Sequence, residues 1–155
     1  MPSLTIRPAT ELDSRELFEW RNDPQTRAVS LSTDEVLWED HERWFAASLV
    51  NPGRHIYVCH ATVEDKEESI GMVRFDIDEA QAEVSINLNP SARGRGFGSL
   101  ALTTGIERFL SDQPHVRQLT AQIRDSNGAS VAVFAKAGFV LVTSERGVGH
   151  FVRES

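Results

Sequence analysis

The chain has 155 residues, 40% of them hydrophobic and 25% charged, with a formal net charge of −7 at pH 7. That length is enough for one domain with a real hydrophobic core, and the acidic balance argues against a nucleic-acid binder, whose affinity rests on a basic footprint. The single cysteine, Cys59, rules out an intramolecular disulfide framework, and no apolar run approaches the roughly 18 residues of a membrane span. No apolar run follows a basic start as in a signal peptide. The expectation is one cytoplasmic domain over residues 1–155, with neither membrane nor nucleic acid as partner.

Ser3-Leu4-Thr5-Ile6-Arg7 alternates before Pro8 and reads as a short strand. Thr10 or Asp13 suits a cap, after which Leu12, Leu17, Phe18 and Trp20 recur at near-helical spacing until Asn22-Asp23-Pro24. A second helix is expected after Ser32-Thr33, one of them the N-cap, with Asp34 and Glu35 in its first turn. Val36, Leu37, Trp44, Phe45 and Leu49 form its apolar stripe, and Asn51-Pro52-Gly53 ends it. Next come strands at His55–Thr62, Ile70–Ile77 and Gln81–Leu88, spaced for an antiparallel meander. Glu64-Asp65-Lys66-Glu67-Glu68 reads as a solvated hairpin tip and Asp78-Glu79-Ala80 as a turn. The period returns to helical over Gly98–Leu110, with Leu100, Ala101, Ile106, Phe109 and Leu110 as the buried stripe. Val116–Ile123 is a strand, Asn127–Ala137 a helix stopped by Gly138, and Phe139–Thr143 and Gly149–Arg153 are strands around Glu145-Arg146-Gly147.

The informative segment is Arg93-Gly94-Arg95-Gly96-Phe97-Gly98-Ser99, between a strand and a helix. Glycines let backbone approach a ligand and adopt positive φ, and the helix start aims free N–H groups and its positive dipole end at the same point. With two arginines on an otherwise acidic chain, this reads as a phosphate site. It is not a Walker loop, since Ser99-Leu100 stands where Lys and Ser or Thr belong, and the glycine spacing is wrong for a dinucleotide fingerprint.

The loop resembles the acyl-CoA loop of the GNAT superfamily of N-acetyltransferases, with Arg93, Gly96 and Gly98 at the diagnostic spacing. A second superfamily signature follows in Asn127, Ser130 and Phe134-Ala135-Lys136-Ala137-Gly138-Phe139. The resemblance implies an α+β (mixed α/β) fold: a central, mostly antiparallel twisted sheet, splayed between its fourth and fifth strands and flanked by about four helices. It also implies acetyl-CoA as cosubstrate, and no Cys/His or H-x-x-x-H arrangement suggests a metal. Ile86, Asn87 and Leu88 would line the pantetheine, and the backbone of Gly94, Arg95, Gly96, Phe97, Gly98 and Ser99 would hold the pyrophosphate. Asn127 would bond the pantetheine arm, while Ser130 and Phe134 would face the thioester.

Direct transfer to an amine needs a neutral amine, aligned reactants and a donor for the oxyanion. Cys59 is therefore better read as a buried small hydrophobe than as a nucleophile. Side chains at 83, 85 and 87 share one strand face, and the resemblance puts Glu83 at a base position used by several superfamily members, acting directly or through water. Phe134 stands where many members carry an acidic tyrosine, and a phenyl ring donates no proton. Trp20, Arg21, Asn22, Arg27, His41 and Ser85 are the candidate acceptor contacts, with His41 an alternative base. "EWRNDPQTR" followed by "HERWF" resembles the subgroup holding ribosomal-protein N-terminal acetyltransferases and nucleotide-amino-sugar N-acetyltransferases of pseudaminic-acid biosynthesis. The expected acceptor is accordingly a small primary amine, such as a nucleotide-linked amino sugar, with a protein N-terminus as the alternative. A non-catalytic acyl-CoA-binding module is the alternative of another class, and the protein is expected as a monomer or homodimer.

Overall fold

The computed structural model describes residues 3–155, the side chains of Ser3 and Val63 excepted. Strand β1 (Ser3–Pro8) leads through a 3-10 turn (Glu11–Asp13) into three helices, α1 (Ser14–Asn22), α2 (Pro24–Val29) and α3 (Trp38–Leu49). Strands β2 (Arg54–Val63), β3 (Lys66–Asp78) and β4 (Gln81–Leu88) form a meander, and a second 3-10 turn (Pro90–Ala92) precedes α4 (Phe97–Asp112). The chain closes with β5 (Gln118–Arg124), α5 (Gly128–Lys136), β6 (Val140–Glu145) and β7 (Val148–Glu154).

The strands make one sheet in the order β1-β2-β3-β4-β5-β7-β6. All neighbours are antiparallel except β4 and β5, which run parallel and pair only over Gln81–Glu83 against Gln118–Thr120. Beyond Glu83, β4 keeps β3 on one side and has no partner on the other among the described residues, so the sheet opens there into a splay. The expected splayed α+β sheet is therefore present, flanked by five helices rather than about four.

The pleat sorts the two layers. Tyr57, Val73, Phe75 and Val84 share a face with the main core, which includes Ala101, Leu102, Ile106 and Phe109 of α4. Phe75 and Phe109 stack there with ring centroids 4.1 Å apart. Ile56 and Met72 point to the opposite face and pack with Leu17 and Trp20 of α1 and Phe45 of α3 in a second, smaller core.

Several expectations change. Leu12 is 90% exposed and belongs to the 3-10 turn, whose capping box is made by Thr10 and Asp13. The helix expected from Ser32 or Thr33 begins instead at Trp38, with Leu37 as a cap that makes no side-chain bond. Asn22 supplies the reason: its Nδ2 donates to the Val36 carbonyl at 2.7 Å and its Oδ1 accepts the Val36 N–H at 2.8 Å. Those two bonds hold the Val36 backbone groups that a helix there would need. Pro24 does not merely end α1; it opens the short α2, capped by the Asp23 side chain. Leu100 is exposed and Leu110 half-buried, so the stripe of α4 runs through Phe97, Ala101, Leu102, Gly105, Ile106 and Phe109. The charge run forms a tip only at Glu64 and Asp65, both at positive φ, while Lys66–Glu68 already belong to β3. Gly138 follows α5 at φ 95°, as its place after the last helix predicts.

Candidate active site

The end of β4, the glycine loop and the start of α4 form one wall of a cleft of about 740 Å³. Gly94 and Gly96 sit at φ 72° and 81°, and a Cβ added at either would meet nothing within 4 Å. Gly96 is the N-cap of α4 and offers no side chain to its first turn, which also carries no acidic residue. The first N–H groups of a 16-residue helix therefore face an open, uncapped concavity. This geometry fits a pyrophosphate.

The opposite wall is the start of α5. Asn127 caps it by accepting the Ser130 N–H on Oδ1 at 3.2 Å, which leaves the amide nitrogen for another partner. Asn127, Ser130 and Phe134 all line the cleft, together with Ile86, Asn87, Leu88, Arg93, Gly94, Gly96, Gly98 and Ser99 from the expected cofactor set. Phe134 is also core, packed edge-on against Phe139 at 5.0 Å.

Two loop residues do not reach the cleft. Phe97 is buried in the main core. Arg95 lies over the Phe97 ring and donates to Glu68 at 3.3 Å and to the Ser91 carbonyl at 3.4 Å. Arg93 borders the cleft, but its guanidinium is engaged by α2: it donates to Asp23 and Gln25 at 2.8 Å and also to the Thr26 hydroxyl. Burial alone would raise the Asp23 carboxyl, yet Arg93 and the Thr26 backbone N–H outweigh it and hold it below the ordinary carboxylate range. The first arginine of the loop is thus a latch on α2 and not a free charge for phosphate.

The third wall comes from α1, α2, the segment after α2, and α3. Arg21, Arg27 and His41 of the expected acceptor set line the cleft there, and Ser85 lines it from β4. Trp20 does not: it is 4% exposed and packs in the smaller core. Asn22 is committed to the Val36 backbone. His41 is enclosed by Phe18, Trp38, Trp44 and Phe45. Its Nε2 lies 2.9 Å from the Ser14 carbonyl and must carry the proton there, so Nδ1 is a bare, buried acceptor with no partner among the described residues. Burial foremost pushes this imidazole below its ordinary value, and Arg21 adds to that.

Glu83 is not among the lining residues. It sits half-buried on β4, opposite Asp76 of β3, on the face that carries Ser85 two residues nearer the cleft. Trp44, Met72 and Arg74 do line it. Arg74 was not anticipated, because its place opposite Ser85 depends on the register of β3 on β4. The other chemical candidates lie elsewhere. Burial, then a 2.8 Å bond to Asp112, push the Tyr57 phenol far up, and Tyr57 does not touch the cleft. Cys59 is fully buried, its thiol pushed up to about 12 by burial, as befits a core side chain.

Residues 3–140 match the family described as Acetyltransferase (GNAT) domain. The chain is 28% identical over 144 residues to YwnH of Bacillus subtilis (strain 168), which carries a provisional phosphinothricin acetyltransferase name; the match spans 88% of this chain and 83% of that one. A domain from Methanocaldococcus jannaschii DSM 2661 superposes with a TM-score of 0.87 at 18% identity, covering all of both chains. The spermidine N-acetyltransferase of Vibrio cholerae, solved with CoA and spermine, gives 0.83 at 17% identity over 97% of this chain and 95% of that one. The protein belongs to the GNAT acetyltransferase family. It is an acyltransferase that uses acetyl-CoA as cosubstrate to acetylate an amine. The ribosomal-protein and pseudaminic-pathway subgroup draws no support from these similarities.

Proposed function

We propose that the chain acts as one cytoplasmic domain that transfers acetyl from acetyl-CoA to a small primary amine by direct attack, without a covalent enzyme intermediate. The observation that carries this is the uncapped glycine cradle of α4 opening onto the gap where β4 leaves β5. In this reading backbone N–H groups from Gly94 to Ser99 hold the pyrophosphate. The unpaired edge of Ile86–Leu88 and the Asn127 amide take the pantetheine arm, with Ser130 and Phe134 near the thioester. Acetyl-CoA supplies an activated thioester whose thiolate is a tolerable leaving group, which suits a site with phenylalanine in place of an acidic tyrosine.

Glu83 is the proposed base. Glu83 and Ser85 are next neighbours on one strand face, about 7 Å apart along the strand, and Glu83 would take the amine proton directly or through water. Fixing acceptor and thioester against one another supplies much of the remaining acceleration. A nucleotide-linked amino sugar and a protein N-terminus are the two specific acceptors that the sequence raises. The arginines of the acceptor wall favour the sugar nucleotide, being complementary to its diphosphate.

The test is thiol release from acetyl-CoA in the presence of amino sugars, short peptides and small amines. Stimulation by a small amine is expected. Stimulation by peptides alone would replace the small acceptor with a protein N-terminus. Tight CoA binding with no stimulation by any amine would overturn transfer in favour of a binding module.

A further inference from the structure

The charge of the cleft runs against the charge of the chain. The molecule carries 23 acidic residues against 16 lysines and arginines, yet the charged residues lining the cleft are Arg21, Arg27, Arg74, Arg93, Arg124 and a single acid, Asp34. Arg93 is neutralised by Asp23. Arg74 shares Asp76 with Arg54, and Arg21, Arg27 and Arg124 have no ion pair among the described residues.

The excess concentrates on Trp44. The guanidiniums of Arg21, Arg54 and Arg74 lie 5.6, 5.4 and 5.4 Å from its ring centroid. Among the described residues, the one carboxylate in ion-pair distance of any of these arginines is Asp76, which takes the Nε of Arg54 and of Arg74. Arg21 has no carboxylate partner, and the terminal nitrogens of Arg74 make no hydrogen bond among the described residues. Three cations around one anion on a half-buried aromatic face repel one another unless a further anion joins them. Burial, and then the like charge of Arg74, lower the Arg21 guanidinium from its ordinary value.

Position gives this excess a use. Arg74 pairs with Ser85 across β3 and β4, three residues along β4 from Leu88, where the strand meets the glycine loop. Arg21, Trp44 and Arg74 therefore stand in the acceptor part of the cleft, away from the α4 N-terminus that suits the pyrophosphate. Arginine's planar fork matches carboxylate and phosphate oxygens two at a time. We propose that Arg21 and Arg74, held against Trp44, bind an oxyanion carried by the acceptor, so that the substrate is a small amine bearing a carboxylate, phosphonate or phosphate and not a polycation. This rests on the transfer reaction proposed above and names its substrate class.

The experiment separates the two ideas. The full chain is saturated with CoA, which occupies the glycine cradle, and titrated calorimetrically with propylphosphonate and with butyrate, anions that carry no amine. Saturable binding of at least one is expected, weakened at least about tenfold in Arg21→Met and in Arg74→Met, since each removes charged hydrogen bonds. Arg43→Met, which alters an exposed arginine paired with Asp40, should bind like the parent. Arg74→Lys keeps the charge but loses the fork, and a partial loss is expected if Arg74→Met folds poorly.

Thiol release is then compared for aminopropylphosphonate, γ-aminobutyrate and a uridine-diphosphate amino sugar against aminopropanol and spermidine. At least one anionic amine should exceed aminopropanol about tenfold in kcat/KM, and that ratio should collapse in both variants. Which anionic arm wins distinguishes carboxylate, phosphonate and diphosphate. Thiol release led by spermidine or aminopropanol, with no saturable anion binding, overturns the anion site and leaves transfer standing. Anion binding without thiol release from any amine overturns transfer and leaves the anion site standing.

Discussion

A carboxylate serves as a base only where it reaches the proton it removes, and Glu83 stops one pleat short of the cleft. Its neighbour across the strands, Asp76, is already held by Arg54 and Arg74, so Glu83 is the uncommitted carboxylate of that pair. The Glu83→Gln variant should lower kcat about a hundredfold, the range of a lost general base, with little change in the KM for acetyl-CoA. Unchanged turnover from acid to alkaline pH would remove Glu83 from the reaction. His41 is the poorer base despite its place in the wall. Its bare Nδ1 is buried between aromatic rings, and its proton sits on the nitrogen facing the Ser14 carbonyl.

At the scale of elements, Asp23 does two jobs: it caps α2 through the Thr26 N–H at 3.1 Å and latches Arg93 of the glycine loop at 2.8 Å. Because the folded carboxyl lies below the ordinary value, its contribution is complete above the unfolded carboxylate pKa near ~4 and is lost as pH falls through the lower folded value. Asp23→Ala should reduce stability by about 1–2 kcal/mol in urea unfolding at pH 7. Asp23→Asn, which keeps the cap, should lose less. Both should flatten the acid limb of stability below pH ~4 relative to the parent, and a limb of unchanged steepness would show that the latch is not titrating. This latch also marks what could be read from the residues and what could not. Strands, turns and the α4 and α5 starts follow from local period and glycine placement, so Gln81–Leu88 was legible to the residue. The Arg93 latch, the Asn22 clamp on Val36 and the pairing of Arg74 with Ser85 each join segments remote in sequence. Local pattern carries no trace of such partners, which is why the glycine loop and the cleft positions of Arg21, Arg27, His41 and Ser85 were legible while the contacts that hold them were not.

At the scale of the whole molecule, the cradle is only as well placed as the helix that carries it. Helix α4 rests on β3 at Gly105, where an added Cβ would come within 3.1–3.3 Å of the Val73 side chain. Alanine there asks Val73 to yield by a few tenths of an ångström while improving helix propensity by about 1 kcal/mol, so Gly105→Ala should change stability little. Gly105→Leu cannot be absorbed that way and should destabilise by about 1–3 kcal/mol through overpacking. Relief comes most easily by lifting α4 away from the sheet, and its uncapped first turn would move with it. The proposed acceptor wall is built on the other face, from α1, α3 and the face of β3 that carries Met72 and Arg74, and would be left in place. The KM for acetyl-CoA should therefore rise several times more than the KM for the amine in Gly105→Leu, measured with the best acceptor of the panel. Equal increases in both would mean that the seat of α4 on β3 does not set the position of the cradle.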